Sequence, residues 1–501
     1  MKQIYKLGYL LVFLYCFLGK GAYAQKKVYL YGYIEAAESQ ERLTNVSVLV
    51  KNQKIGCQTN AYGFFSVAVF ANAPFELMIS NVGFKTRQIP LNIKKDTLIY
   101  IQLSSDVQML SEVTITDKIQ RTSQVLSGYH SLSVKAIEQI PALLGERDVL
   151  KALQMLPGVS GGQEGTVGLN VRGGSPDQNL ILLDGVPVYN VNHLFGFLSV
   201  FNTDAIANVD FYKGGIPARF SGRLSSVIDV SLREGNNQKY QKKISLSPVA
   251  SRLLFEGPIV KGRSSFLLSL RRSWLDFLTT PIAVISNSDS RSVFKFYDVN
   301  FKANYLFSAR DKLFISYYNG RDGLKNSFQS NGSAFNFKYN WGNNTFVLRW
   351  NHLYNQKIFG NLSLSYTSFN YVLQNDQSDI GTFKSRFQSG IRDLTLKYDW
   401  DVFPSANHNI KAGIALTAHR FSPEVQQIQT GKSDTTYAPQ AAVLATELSI
   451  YGEDQLKITD KLSANLGINL GFYGVENKNY VNPQPRLSFR YQINDNTSVK
   501  L

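Results

Sequence analysis

GLNVRGGSPDQNLILLDGVPVYNV at residues 168–191, followed by NVDFYKGGIPARFSGRLSSVIDVSL at 208–232, carries the reading of this chain. Asp184-Gly185 is a tight-turn signal placed directly after the apolar run LILL. The pairs Gly173-Gly174 and Gly214-Gly215 permit close backbone approach or positive φ. Neither GxGxxG nor GxxxxGK[ST] occurs, so these glycines do not read as a nucleotide-phosphate loop. The spacing predicts strands at Leu169 to Arg172, Leu180 to Leu183, Val209 to Lys213 and Val227 to Leu232. Two helical pieces precede them. One runs from Ser133 to Ile140 and is ended by Pro141; the other runs from Glu146 to Leu156, with Val149, Leu150, Leu153 and Leu156 on one face and Pro157-Gly158 as its stop. A small α/β module over 124–235 follows.

Behind it the pattern changes to period two. Leu462, Ala464, Leu466, Ile468, Leu470 and Phe472 alternate with Ser463, Asn465, Gly467, Asn469 and Gly471. Tyr297, Val299, Phe301, Ala303 and Tyr305 alternate with Asp298, Asn300, Lys302 and Asn304. Such strands put an apolar face on lipid and a polar face on a lumen. Short connections are expected near Ser308 to Asp311, Gln356-Lys357, Pro404 to Asn407, Thr459-Asp460 and Asn494 to Asn496. Long ones are expected over Leu278 to Ser292, Asn319 to Asn343, Leu373 to Gln388, Phe421 to Ala442 and Val475 to Gln484. Short turns on one rim and long loops on the other are the habit of bacterial outer-membrane barrels.

Residues 124–235 resemble the plug of TonB-dependent outer-membrane receptors. The matching stretches are Leu156-Pro157-Gly158-Val159, Val171-Arg172-Gly173-Gly174, Leu183-Asp184-Gly185-Val186-Pro187, and Val209 through Gly215 with Pro217-Ala218-Arg219-Phe220-Ser221-Gly222-Arg223. The resemblance implies a plugged antiparallel barrel over 238–501, and latches between plug and barrel at Arg172 and Arg219, beside the plug-motif residues Gly173, Gly174, Asp184, Gly185, Gly214 and Gly215. It also implies a TonB box in the connecting segment 104–123, where Glu112, Val113, Thr114, Ile115 and Thr116 form a β-prone core able to join a partner's sheet edge. Plugged transporters have 22 strands, and the roughly 266 residues after Gly235 supply about 12. The barrel is therefore expected to be truncated, and no terminal aromatic closes Ser498-Val499-Lys500-Leu501. Residues 27–103, with Gly32-Tyr33-Ile34, Leu43 through Val48, Thr59 through Phe65 and Gly83-Phe84, resemble the carboxypeptidase-regulatory-like, transthyretin-like β-sandwich found ahead of such receptors in Bacteroidetes. The fold class is thus mainly β: an N-terminal sandwich, a small α/β plug and a barrel.

The ends and the composition agree with export. Lys2 and Lys6, an apolar run from Leu7 to Leu18 and Ala22-Tyr23-Ala24 read as a signal peptide over 1–24. That run of about 12 residues is shorter than the ~20 a membrane helix needs. Cys57 would be the only cysteine left, which excludes an internal disulfide, and no metal-ligand spacing or cofactor motif occurs. The net charge of +16 is spread along the chain, so acidic surface lipid or an anionic ligand fits it better than nucleic acid. Only five histidines exist, without HExxH or a GxSxG elbow, so no catalytic residue is named. The expected role is uptake of a scarce nutrient, a siderophore or another small molecule or metal chelate, driven by the inner-membrane TonB complex. His193 and Phe195 are candidate ligand contacts at a plug apex. A surface lipoprotein is a further candidate partner. The rival readings are a passive or adhesive barrel and a non-transporting remnant.

Overall fold

The structure is a computed structural model that describes residues 26–501 except 54, 107–123, 141, 143, 162–167, 286–289, 331–332, 379–381, 431–432, 438–441 and 495. The expected signal peptide and the candidate TonB box, Glu112 to Thr116, lie outside the described residues.

In the N-terminal domain, Lys27–Ala36 is the middle strand of a three-stranded sheet. It pairs antiparallel with Phe64–Phe70 and parallel with Thr97–Leu103. Facing it is a four-stranded sheet in the order Ile55–Gln58, Ser47–Val50, Phe75–Ser80, Arg87–Leu91. Alternation decides the interior: Val46, Val48 and Val50 are buried against Leu30, Ile34, Phe65, Leu77 and Ile101. Burial of each such side chain contributes about 1.5–3 kcal/mol.

The plug is built on a five-stranded sheet in the order Val186–Pro187, Asn179–Leu183, Ser226–Leu232, Ile206–Tyr212, Tyr129–Ser133. Its helices are shorter than the periodicity predicts, Val134–Glu138 and Val149–Gln154. Side-chain caps fix both starts, since Ser133 accepts from the Ala136 N–H, and Asp148 from those of Leu150 and Lys151. Val149, Leu150 and Leu153 pack on Val209, Phe211, Ile228 and Val230.

Around the plug curls a large antiparallel sheet that runs in chain order from Gln241–Leu246 to Thr497–Lys500, with Ser433–Tyr437 as a side branch on His408–Thr430. Its two end strands are not paired with each other among the described residues. Asp298, Asn300, Lys302 and Asn304 are buried inward, and Leu394, Leu396, Ile414 and Leu416 are exposed outward. Among the described residues the expected short turns are present, and the expected long connections are mostly not loops. Asp311–Ser330 and Ser333–Asn355 run through Asn319 to Asn343 as paired strands, as do Ile358–Ser378 and Thr382–Ser405 through most of Leu373 to Gln388. Leu278 to Ser292 holds the end of a helix, Leu275–Ile285, and the start of the strand Ser290–Leu306. With up to 24 residues, against the ~9–11 that cross a bilayer, these strands stand well clear of the membrane.

The sandwich sits on the short-turn rim. Tyr33, Phe64 and Tyr62 pack with Leu353, Phe359 and Phe403; the Tyr29 hydroxyl donates to the Pro404 carbonyl at 2.6 Å, and the Ser66 hydroxyl to that of Gln356 at 2.6 Å. It also touches the plug, where Asn45 Nδ2 donates to Asp210 at 3.1 Å.

Candidate functional site

Asp184 and Gly185 form the turn that the sequence signals, with φ of +49° and +78°. Consecutive left-handed residues make a two-residue hairpin whose twist suits its strands, and glycine takes the second place without a Cβ penalty. The turn aims the Asp184 carboxylate at the wall. It accepts from Lys302 Nζ at 3.0 Å, the Ser316 hydroxyl at 2.7 Å and the Leu232 N–H at 2.9 Å, while its carbonyl accepts from Arg349 Nη2 at 2.6 Å. Burial alone would raise this carboxyl; Lys302 and Arg349 outweigh it and hold it below the usual range.

Arg219 lies at a second crossing, ion-paired with buried Glu453 and donating to the Tyr212 hydroxyl at 3.0 Å. Beside it, Arg486 Nη1 donates to the Pro217 carbonyl at 2.7 Å and Asn469 Nδ2 to that of Ala218 at 2.9 Å. The expectation for Arg172 is corrected. Its guanidinium lies against Gly214 and Gly128 of the plug itself, where a Cβ on residue 214 would run into it. Arg172 itself has φ +50°, and its side chain runs past Gly158 toward Gly214. Gly174 packs on Ser225, and Gly215 on the Ser127 backbone.

His193 corrects a second expectation. It is 0% exposed and cannot meet a ligand. Nδ1 is 2.6 Å from Asp322 and Nε2 2.9 Å from Asp298, on two neighbouring wall strands, and the ring stacks on Phe296 at 4.4 Å between centroids. Arg271 closes the network, bound to Asp298 at 2.6 Å and to the Ser199 carbonyl at 2.7 Å. Burial alone would lower the imidazole pKa, but the two carboxylates raise it to about 9, so His193 is a cation at neutral pH.

The network positions the next residues. Asp322 also accepts the Leu194 N–H at 3.3 Å, and Leu194 and Phe195 both have positive φ, +50° and +57°. Non-glycine residues held there cost of order 1–3 kcal/mol each. The result is a Phe195 side chain 55% exposed at the plug apex, 5.2 Å from Trp341, 6.0 Å from Phe294 and 6.3 Å from Tyr339 between ring centroids. Tyr339 in turn stacks beside Trp341 at 4.6 Å and meets Tyr371. The wall aromatics and the acids Asp322 and Glu453 are the candidate-site residues that sequence reading did not name; inward parity on alternating strands is the one signal that could have flagged them.

At the opposite end a cavity of about 560 Å³ lies between the sandwich, the plug's edge strand Tyr129–Ser133 and the first wall strand. Ser105 and Gln124, near the two ends of the undescribed connecting segment, both line it.

Family models match the chain as a CarboxypepD_reg-like domain over residues 30–115, a TonB-dependent receptor plug domain over 125–226 and a TonB-dependent receptor-like β-barrel over 273–501. The chain belongs to the TonB-dependent receptors. No curated protein matches this receptor. Among solved structures it is similar to the siderophore receptor PirA from Acinetobacter baumannii, at 16% identity over 75% of this chain and 60% of that one, with a TM-score of 0.53. It is likewise similar to the pyoverdine outer membrane receptor FpvA from Pseudomonas aeruginosa PAO1, at 13% identity over 75% and 61% with a TM-score of 0.53, and to the outer membrane transporter YddB from Escherichia coli, at 12% over 73% and 59% with 0.52. This receptor thus spans less than two thirds of the length of each. Its family and its lipid-facing strands place the TonB-dependent receptor in the outer membrane. The match over 30–115 runs past Leu103, the end of the last sandwich strand, and over four residues of the candidate TonB box.

Proposed function

We propose that this receptor binds a small metal chelate of the siderophore kind at its outer mouth and passes it inward using force supplied by a TonB complex at Glu112 to Thr116. The carrying observation is Phe195, held out at the plug apex by a buried ion-paired histidine and facing Phe294, Tyr339 and Trp341. Aromatic faces with few polar groups suit a flat, delocalised ligand. The siderophore and pyoverdine receptors among the similar structures support this ligand class.

Titration of the purified chain with ferric catecholate and ferric hydroxamate chelates should give saturable quenching of Trp341 fluorescence. W341F should remove the quench, and F195A should weaken binding about tenfold or more. Absence of saturable quenching by every chelate would refute the ligand class. Separately, an immobilised TonB carboxy-terminal domain should capture the full chain but not a variant lacking 112–116. Equal capture of both would move coupling elsewhere, and capture of neither would favour a passive barrel.

A further inference from the structure

On the part of the wall that stands above the plug, charge is sorted by face. The five strands from Ser290–Leu306 to Thr382–Ser405 pair in direct register here, so their residues form rows that cross all five. One row is anchored to the plug from inside: Phe296 stacks on His193, Asp322 binds that histidine, and Trp341 Nε1 donates to the Asn192 carbonyl at 3.3 Å. Successive residues of a strand point to opposite faces, so every second row above it faces the lumen as well. The first such row is Phe294, Leu324, Tyr339, Leu373 and Phe387. The next is Ser292, Asn326, Phe337, Asn375 and Ser385, and the third is Ser290, Phe328, Phe335, Gln377 and Phe383.

No residue of these three inward rows carries a charge. The rows between them, on the outward face, hold Lys295, then Lys325, Lys338 and Arg386, then Arg291, Asp376 and Lys384. Water alone does not require this sorting: Phe328, Phe335 and Phe383 are 49%, 41% and 38% exposed, in places where charged side chains would be well solvated. At the foot of the inward face, Asp322 is buried and engaged by His193. A broad exposed aromatic surface kept free of charge is the mark of a binding site.

We infer that this face selects an electroneutral chelate, of the ferric trishydroxamate kind, over an anionic one; the inference rests on the reading that a chelate binds beside Phe195. Three singly charged hydroxamates cancel the charge of ferric iron, and the complex presents methylene and amide groups to its surroundings. Those groups match aromatic rows with a row of amides and hydroxyls between them, where Asn375 Nδ2 donates to Ser385 at 3.3 Å. A ferric triscatecholate is a trianion, and giving up its hydration against a surface without a facing cation is costly. The cations that could attract it, Lys325, Lys338 and Arg386 among them, stand on the other face of the same strands.

Titration of the full chain in detergent with one linear ferric trihydroxamate, its terminal amine either acetylated or succinylated, isolates charge: the first chelate is neutral and the second a monoanion on the same scaffold. Quenching of Trp341 fluorescence reads both. The neutral chelate should bind at least about tenfold tighter than the succinylated one, and tighter still than a ferric triscatecholate. N375K, which sets a cation in the middle inward row, should bring the two trihydroxamates to within about twofold of each other. Equal or tighter binding of the anionic chelates by the wild type, a comparison that needs no variant, would overturn the inference and leave the chelate reading standing. An unchanged preference in N375K would overturn it too, by moving the selection away from this wall. Absence of saturable quenching by every chelate would instead remove the reading on which the inference rests.

Discussion

His193 is the residue where plug and wall are joined most expensively, because a cation and two carboxylates share a space closed to water. Removing one member of a buried pair leaves the others uncompensated, at about 3–5 kcal/mol. H193Q is therefore expected to lower thermal stability clearly, read from intrinsic fluorescence during heating, and to weaken chelate binding by freeing Phe195. The folded pKa of about 9 lies above the ordinary 6.5. The stabilisation is thus complete below about pH 6.5 and fades as pH rises through 9; melting curves at pH 7 and pH 10 should diverge in the wild type and converge in H193Q. Asp229 shifts in the same direction for a different reason. Burial first, then Asp210 directly opposite on the next strand, raises it to about 6. The folded chain takes up this proton before the unfolded chain does, so Asp229 adds stability as pH falls from 7 toward 4, and D229N should flatten that part of the pH profile.

At the scale of elements, the sandwich meets the rim through an aromatic cluster flanked by hydrogen bonds. Phe359 is 1% exposed there, stacked on Phe64 and Tyr62. F359A removes most of that contact, worth about 3–5 kcal/mol for a buried aromatic. Amide exchange should rise in Phe64–Phe70 and around Gln356-Lys357 while the plug strands stay protected. Cys57 offers an independent probe: burial pushes its thiol up to about 12, so maleimide at pH 8 should label it only after the sandwich unfolds. The legibility of the elements follows from solvent. Within the bilayer one face meets lipid and the other the lumen, and Leu462 to Phe472 show the alternation plainly. Beyond the bilayer the outward face meets water and the inward face holds polar groups such as Asp322 and Asn343, so the alternation of apolar with polar residues is interrupted. Asn319 to Asn343 therefore read as a loop although the backbone pairing continues. Short turns stayed readable because Ser, Asp and Asn mark them locally. His193 and Arg172 were misplaced for another reason. The partners of His193 are 105 and 129 residues away, and the bent backbone of Arg172 leaves no trace in the residue types around it.

For the whole molecule, the contacts of plug and wall run from Glu256, which binds Arg233, through Asp298, Lys302, Arg349 and Asp393 to Glu453 and Arg486. The plug is tied to strands all along the sheet, and the sandwich covers the rim below it. Ion pairs inside a low-dielectric interior are hardly screened by salt. Raising ionic strength should accordingly leave the melting temperature almost unchanged, whereas D184N, which removes a charge facing Lys302, should lower it in any buffer.

The order of strands in the plug sheet has a mechanical consequence. Tyr129–Ser133 is the outermost strand, bonded on one side only, to Asn208 through Tyr212, and it is the first strand after the connecting segment. A tensile load applied upstream of it enters the sheet at this margin, where five residue pairs can part in succession, and not at Ser226–Leu232, which is clamped between neighbours. Traction would then strip one ribbon and bare the groove beside Ile206–Tyr212, while the seven or more ties to the wall keep the remainder seated. In a constant-velocity pulling trace on the amino-terminal side, the earliest yield should be small and reversible, well below the force that extracts the domain.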